Sequence, residues 1–237
     1  MRGRYLEPLV RSHFAAARPS HIIFYQYDQR VVLDCYYARV LWLQGFGDQA
    51  RQLTESLVGY ARTKDHLLSF LYTLLIAACP IALYVGDLAT ADRHVRPAFD
   101  LATKHALEIW NVRARCFEGI LLIKRGDNRV GSQLLQSGLE RLPESAFHHH
   151  MSLLLAELAA GLGGAGQIAA GLVVVDKALA RAEQTEAGWY LAELLRTKGE
   201  LLLLGRAPTA ATAENCFHQA LDVARRQNAL SGSCGPP

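Results

Sequence analysis

The strongest constraint on this chain is a set of small residues that recurs at a nearly constant spacing. One series consists of Ala50, Ala91, Gly131, Gly171 and Ala213, and a second consists of Ala38, Cys79, Gly119, Ala159 and Gly199. In both series, successive members lie about 40 residues apart, with little variation between steps, which is a period typical of stacked-repeat proteins. Two independent series with one period therefore predict a protein built from stacked repeats.

Each repeat has the sequence features of two helices joined by a tight turn. Gly-Asp pairs at 86–87 and 126–127 separate the two series, and Gly45 and Gly166 occupy the same place in other repeats. Packed helices lie about 8–10 Å apart, so a small residue at a crossing allows close approach. We therefore predict that Gly119 faces Gly131 or Gly138 across a helix crossing.

The motif combines a small residue three positions before an apolar one, a Gly-Asp turn, and a pattern such as Ala91, Val95 and Ala98. It resembles the tetratricopeptide repeat, which implies an all-α, right-handed superhelix of about five helix hairpins. The period is about 40 residues instead of the usual 34 or so. In addition, the Trp and Tyr of the consensus first helix are mostly absent.

Two segments support a narrower resemblance. The segments LLRTKGELLL at 194–203 and AENCFHQALDVARRQNAL at 213–230 resemble the C-terminal repeat region of large bacterial signalling ATPases and transcriptional regulators. Such proteins join a DNA-binding or cyclase domain, a nucleotide-binding domain and a long tetratricopeptide tail. The resemblance implies that this chain corresponds to the tail.

The predicted organisation has three parts. Residues 1–28 form an N-terminal helix, at 3–17, and a loop, residues 29–230 form the repeat array, and residues 231–237 form a disordered tail. The five predicted repeats span 29–66, 67–106, 107–146, 147–186 and 187–230. Their first helices are expected near 29–44, 67–85, 107–125, 147–163 and 187–204. Their second helices are expected near 47–63, 87–104, 127–141, 167–184 and 209–228.

Net charge and cysteine content limit the kinds of partner and the cellular compartment that we expect for this chain. Hydrophobic residues make up 51% of the chain, and the net charge is only +3, so clustered charge for nucleic-acid or membrane-surface binding is not expected. The five cysteines are widely spaced without a CxxC pair, and the N-terminus lacks an apolar signal core. These features predict a cytoplasmic protein with reduced thiols.

One segment raises a membrane alternative. Residues 67–86 contain no charged side chain, and this length is sufficient to span a bilayer. The favoured interpretation is the buried first helix of the second repeat, because Cys79 and Ala82 keep the repeat register. Pro80 is expected to kink this helix.

Catalytic and metal motifs are not supported by their context. The letters of a dinucleotide fingerprint occur at 161–166, but a helical pattern precedes them where a strand is required. His148, His149 and His150 are consecutive, so they cannot converge on one ion from one helix and are expected to be solvated. We predict a protein that is not an enzyme and has no cofactor and no metal site.

The resemblance places the binding surface on a concave face lined by the first helices. The lining positions that it implies are Arg39, Trp42, Leu43, Ile76, Tyr84, Arg113, Cys116, Lys124, Arg196 and Glu200. Trp, Tyr and Arg are enriched at binding hot spots, and the cations suit an acidic peptide or a ligand carboxylate. The alternative is that these are ordinary solvated side chains.

Two functions follow from the resemblance. One is a protein–protein interaction module that docks a protein or peptide, and the other is the ligand-sensing repeat domain of a split signalling ATPase or transcriptional regulator. The last predicted helix also carries an apolar stripe at Ala213, Phe217, Ala220, Leu221 and Ala224. We expect this stripe to be exposed and to form a homodimer through the C-terminal helix.

Overall fold

The computed structural model describes residues 26–141, 150–184, 188–205 and 210–227, and within these ranges the chain is all-helical with no strand. The first three hairpins consist of α1 (Gln29–Leu43) with α2 (Gly47–Thr63), α3 (Leu67–Tyr84) with α4 (Leu88–Lys104), and α5 (Glu108–Lys124) with α6 (Asn128–Arg141). The last two consist of α7 (Met151–Gly164) with α8 (Ile168–Gln184), and α9 (Leu191–Leu204) with α10 (Ala210–Gln227). A short 3-10 turn, Gly188–Tyr190, precedes α9.

The predicted all-α class and the order of the hairpins are therefore confirmed. Consecutive helices pack together, for example α1 with α2 and α9 with α10. The handedness of a superhelix and the division into three parts stay predictions. The helix predicted at 3–17 and the tail at 231–237 lie outside the described residues.

The turns within the first four hairpins share one geometry. Their glycines have positive φ angles, of 85°, 78°, 92° and 79° at Gly45, Gly86, Gly126 and Gly166 respectively. At the second turn, the N–H of Gly86 donates to Leu83 O at 3.1 Å and the next N–H donates to Ala82 O at 2.8 Å. This is the hydrogen-bond pattern of a Schellman motif. The motif favours glycine because a residue with a side chain rarely adopts a positive φ. The predicted turn glycines are confirmed.

Aspartates that follow two of these glycines begin the next helix. The N–H of Thr90 donates to Asp87 Oδ1 at 2.9 Å, and the N–H of Val130 donates to Asp127 Oδ1 at 3.4 Å. The hydrogen bonds with Thr90 hold the pKa of Asp87 below its usual value. An acidic N-cap satisfies an unpaired helix donor and interacts favourably with the helix dipole.

Every member of the two small-residue series is buried. At the third hairpin, a Cβ added to Gly119 would lie 2.9 Å from Gly131 O and 3.0 Å from the Leu135 backbone nitrogen. The structure thus places Gly119 against Gly131, one of the two expected partners. In the fifth hairpin, a Cβ on Gly199 would lie 2.7 Å from the ring of Phe217.

Helix α3 contains a π-helical segment, Thr73–Ala78, directly before Cys79 and Pro80. Proline has no N–H to donate and clashes with the carbonyl four residues earlier, so a regular α-helix is unfavourable there. The wider turn also takes up one extra residue. Ala61 and Ala102 are buried alanines near the ends of the helices that precede α3 and α5. The sequence interval from Ala61 to Cys79 is one residue longer than the interval from Ala102 to Gly119. The π segment therefore accounts for the slightly longer first step of the first-helix series.

The uncharged segment forms a core helix of the second hairpin. Helix α3 has a mean hydropathy of 2.0, and 78% of the helix is buried within the protein. By length and composition it could cross a membrane, but its contacts with α1, α2 and α4 already cover it. This burial is consistent with a soluble protein.

The chain divides into two compact units, one up to Ala114 and one from Arg115, so that the division falls within α5. In the N-terminal unit, α3 contacts both α1 and α2. In the C-terminal unit, α9 contacts both α7 and α8. In each unit, the first helix of the later hairpin therefore packs against both helices of the hairpin before it.

The apolar stripe on α10 is not exposed as the sequence analysis expected. Ala213, Ala220 and Ala224 are buried, and Phe217 packs against Gly199. Leu221 is the stripe member that is exposed. The stripe packs on α9 of its own hairpin, and a homodimer through this helix stays a prediction.

The cysteines in the described part of the chain are free thiols. Cys35, Cys79, Cys116 and Cys216 are all buried, and Cys234 lies outside the described residues. Burial raises the pKa of the Cys79 thiol well above its usual value, which disfavours the reactive thiolate.

Candidate functional site

Within each unit, first helices of successive hairpins lie side by side. Helix α1 contacts α3 in the N-terminal unit, and α7 contacts α9 in the C-terminal unit. We call the surface formed by α1 and α3 the N-terminal first-helix face, and the surface formed by α7, α9 and the end of α5 the C-terminal first-helix face. The residues predicted to line the groove are distributed over these two faces.

An aromatic pair lies at the end of the N-terminal first-helix face. The rings of Trp42 in α1 and Tyr84 in α3 stack with their centroids 4.4 Å apart and an angle of 29° between their planes. Both side chains are half-buried, and they pack on a core that includes Leu41 and Ile81. The pair presents rigid aromatic surface that is partly open to solvent, as predicted hot-spot positions require.

Two exposed apolar side chains near this end of the unit were missed in the sequence analysis. Phe46 follows the turn glycine of the first hairpin, and Val85 precedes that of the second. A Cβ on Gly47, the residue after Phe46, would lie 3.5 Å from Val85 Cγ1. The signal available in the sequence was a large apolar residue directly beside a turn glycine, a place where polar residues are usual.

The structure differs from the prediction for the two cations of the N-terminal unit. Arg39 and Arg113 are only 9% and 7% exposed, whereas a groove cation that meets an acidic partner should be accessible. The guanidinium of Arg113 lies 4.7 Å from the Trp110 ring centroid, and that of Arg39 lies 5.8 Å from the Tyr36 ring centroid. Such stacking explains how long basic side chains become buried.

Two other predicted lining residues are also covered. Ile76 and Cys116 are buried, and Leu43 is half-buried. The helical period identifies the side of the helix on which these positions lie. It does not reveal which neighbouring side chains fold over them.

Aromatic rings surround Arg113. The centroid of Tyr27 lies 4.7 Å from that of Tyr72 and 6.2 Å from that of Trp110. Burial raises the pKa of the Tyr27 hydroxyl, and the positive charge of Arg113 opposes this shift. The cluster is therefore a packed part of the N-terminal unit and not an open pocket lining.

A hydrogen-bonded Ser-His-Asp set occurs where α1 and α3 begin. The backbone N–H of Asp28 donates to Ser69 Oγ at 2.8 Å, and Ser69 Oγ lies 2.8 Å from His66 Nδ1. The N–H of Ser69 also donates to His66 Nδ1 at 3.2 Å, so this nitrogen acts as the acceptor. Ser69 is fully buried and cannot reach a substrate. The set caps two helices, and it carries no nucleophile for catalysis.

The predicted cation Lys124 forms an ion pair with a buried carboxylate. Lys124 ends α5, and its Nζ lies 2.8 Å from Oε1 of Glu157 in α7. The Glu157 side chain is 8% exposed. Burial raises the pKa of Glu157, and the nearby ammonium of Lys124 opposes this shift. Glu157 was not among the predicted residues, because a lone Glu in the apolar sequence of α7 gave no signal for its partner.

Arg196 and Glu200, two other predicted residues, lie on α9 within one ionic group. Arg196 donates to both carboxylate oxygens of Glu193, at 2.9 and 2.6 Å, and also to Glu200. The hydrogen bonds to Glu193 raise the pKa of Arg196 further. On the C-terminal first-helix face, both predicted cations are therefore already paired with carboxylates.

The histidine and glycine motifs have structural roles. His150 is buried at the start of α7, with its ring centroid 6.0 Å from that of Phe117. The expectation that it is solvated was wrong, because the start of α7 packs it against α5. His148 and His149 lie outside the described residues. Gly161 and Gly163 lie within α7, so no strand precedes this glycine motif. In the described residues, no three His, Cys, Asp or Glu side chains converge as a metal site.

The fold places the chain in the class of all-α proteins built from repeated helix hairpins. It is 26% identical to an uncharacterised protein of Rhizobium meliloti (strain 1021) over 216 residues, which cover 91% of this chain and 21% of that protein. The chain thus spans about a fifth of the length of this relative. No protein-family model matches the chain, and no solved structure is significantly similar to it.

Proposed function

We propose that this chain is a protein–protein interaction module of the tetratricopeptide type with a regulatory role. The observation that carries this proposal is the side-by-side packing of first helices with the half-buried pair Trp42 and Tyr84 at the end of the N-terminal face. Rigid aromatic side chains contribute large contact area at low entropic cost. The proposal places the protein in the cytoplasm and assigns it no catalytic step.

The aromatic pair provides the test. Replacing both Trp42 and Tyr84 by alanine should reduce recovery of a co-purifying partner by at least about tenfold, because a hot-spot side chain contributes about 2 kcal/mol or more. Quantitative mass spectrometry of the co-purified proteins measures this. Circular dichroism must show that the variant stays helical, since loss of the stack also costs about 1 kcal/mol of stability.

A matched control uses an exposed apolar side chain on a second helix. Val173 in α8 is exposed, and Val173→Ala should leave recovery of the partner unchanged. Equal recovery by the wild type and the double alanine variant, with both proteins folded, would remove the support for this proposal.

A second candidate function is the ligand-sensing repeat domain of a split signalling ATPase or transcriptional regulator. The observation that favours it is the relative in which the similar region makes up 21% of a longer protein. In that arrangement the repeats recognise an effector and transmit the change to a nucleotide-binding partner. A neighbouring gene that encodes a nucleotide-binding protein, and a stable complex of the two products, would favour this candidate over the first.

A further inference from the structure

One oxygen of the buried Glu157 carboxylate has no hydrogen-bond donor. Oε1 accepts from Lys124 at 2.8 Å, whereas Oε2 is buried and accepts no hydrogen bond from any residue in the described part of the chain. A buried polar atom left without a partner costs roughly 1–3 kcal/mol, and more if it is charged. Native proteins rarely leave such an atom without a donor, which a water molecule, an ion or a bound partner can supply.

The ionic group that includes this carboxylate contains one more carboxylate than cations. Glu193 and Arg196 on α9 are close enough to shift the pKa of Glu157 in opposite directions. Arg196 in turn pairs with Glu193 and Glu200. The group therefore holds three carboxylates, of Glu157, Glu193 and Glu200, against the two cations Lys124 and Arg196. A further cation would balance it and donate to the free oxygen.

We propose that the C-terminal first-helix face binds a cationic group, an ammonium or guanidinium from a basic peptide segment, through Oε2 of Glu157. This inference rests on the proposed interaction function and specifies the chemistry of the partner. It also reverses the expectation of an acidic partner, because Lys124 and Arg196 are already engaged by carboxylates. Charge-assisted hydrogen bonds of this kind are among the strongest in proteins.

The two cations already in the group are partly open to solvent. The side chains of Lys124 and Arg196 are 38% and 39% exposed, so both long chains can rotate without a change in the backbone. The helices that carry the carboxylates, α7 and α9, are in contact and provide a rigid base for the site.

The test measures binding of two short peptides, hexalysine and hexaglutamate, to the full chain by isothermal titration calorimetry. The wild type should bind hexalysine, and Glu157→Gln should weaken this binding by about tenfold or more. The matched control is Glu140→Gln on α6, where Glu140 is exposed and accepts from Gln136. This control should bind as the wild type does. Since the chain has a net charge of +3, general attraction does not favour a polycation.

A second variant keeps the test valid if Glu157→Gln does not fold. Lys124→Met removes the competing ammonium from a partly exposed position, and hexalysine should then bind more tightly than to the wild type. Tighter binding of hexaglutamate than of hexalysine, or unchanged hexalysine binding in both variants, would overturn the proposal. Either result leaves the interaction function intact if partner recovery still depends on Trp42 and Tyr84.

Discussion

Glu157 is a carboxyl group that folding removes from water. Burial raises its pKa above its usual value of 4.5, Lys124 and Arg196 oppose the shift, and Glu193 adds to it. The carboxyl group of Glu157 therefore holds its proton more tightly in the folded protein than in the unfolded chain. By linkage, this group makes stability fall as pH rises from about the unfolded pKa to the higher folded pKa.

A pH series tests this behaviour. We expect the free energy of unfolding of the wild type, relative to that of Glu157→Gln, to decrease as the pH is raised from about 4 towards the higher folded pKa of Glu157, because glutamine does not titrate. Urea unfolding followed by circular dichroism at each pH gives both values. Two curves that run parallel over the whole range would contradict the raised pKa. The comparison cancels other carboxyl groups, such as Asp34, whose pKa burial also raises.

At the residue scale, the sequence predicted on which helix face a residue lies better than it predicted how deeply that residue is buried. Trp42 and Tyr84 were predicted to line the binding surface, and they lie half-exposed on adjacent first helices. Arg39 and Arg113 were predicted in the same way and are buried. The difference depends on which neighbouring side chains cover each position. A single-chain pattern of small and apolar residues does not contain that information.

At the element scale, the crossing of α5 and α6 explains why the third repeat needs glycine. A methyl group on Gly119 would meet backbone atoms of α6, with Gly131 O at 2.9 Å. Backbone cannot move aside as a flexible side chain can. Gly119→Ala should therefore lower the free energy of unfolding by about 1–3 kcal/mol, the range expected for overpacking.

The matched control for this prediction is Gly59 in α2. Nothing lies within 4 Å of a Cβ built there, so Gly59→Ala should raise stability by about 0.5–1 kcal/mol through the better helix propensity of alanine. Thermal melts of the two variants measure the difference. A Gly119→Ala protein that melts at or above the wild-type temperature would mean that the helices do not cross at this residue.

The helices and turns could be predicted because their chemistry is local. Turn glycines such as Gly86 and Gly126 are required by a positive φ, and the following aspartates cap the next helix. The π segment in α3 was not predicted. Its signs were Pro80 and a slightly longer step to Cys79 in the first-helix series, but a longer loop would have given the same spacing. Where an extra residue is absorbed depends on the packing around α3.

At the scale of the whole molecule, the two units carry different chemistry on their first-helix faces. The N-terminal face ends in the aromatic pair Trp42 and Tyr84, and the C-terminal face holds the ionic group around Glu157. In a repeat array each hairpin contacts only its neighbours, so one hairpin can change its surface without altering the others. We expect the two faces to contact chemically different parts of a partner.

On the proposed function, the first helices, and not the second helices, contact the partner. Site-specific photo-crosslinking in cells that make the protein naturally tests it most directly. The crosslinking residue p-benzoylphenylalanine would replace exposed residues beside or on first helices, Val85 and Glu200, and on second helices, Gln133 and Glu183. We expect partner adducts from Val85 and Glu200 and none from Gln133 and Glu183. Adducts from the second-helix positions alone, or from no position, would contradict it.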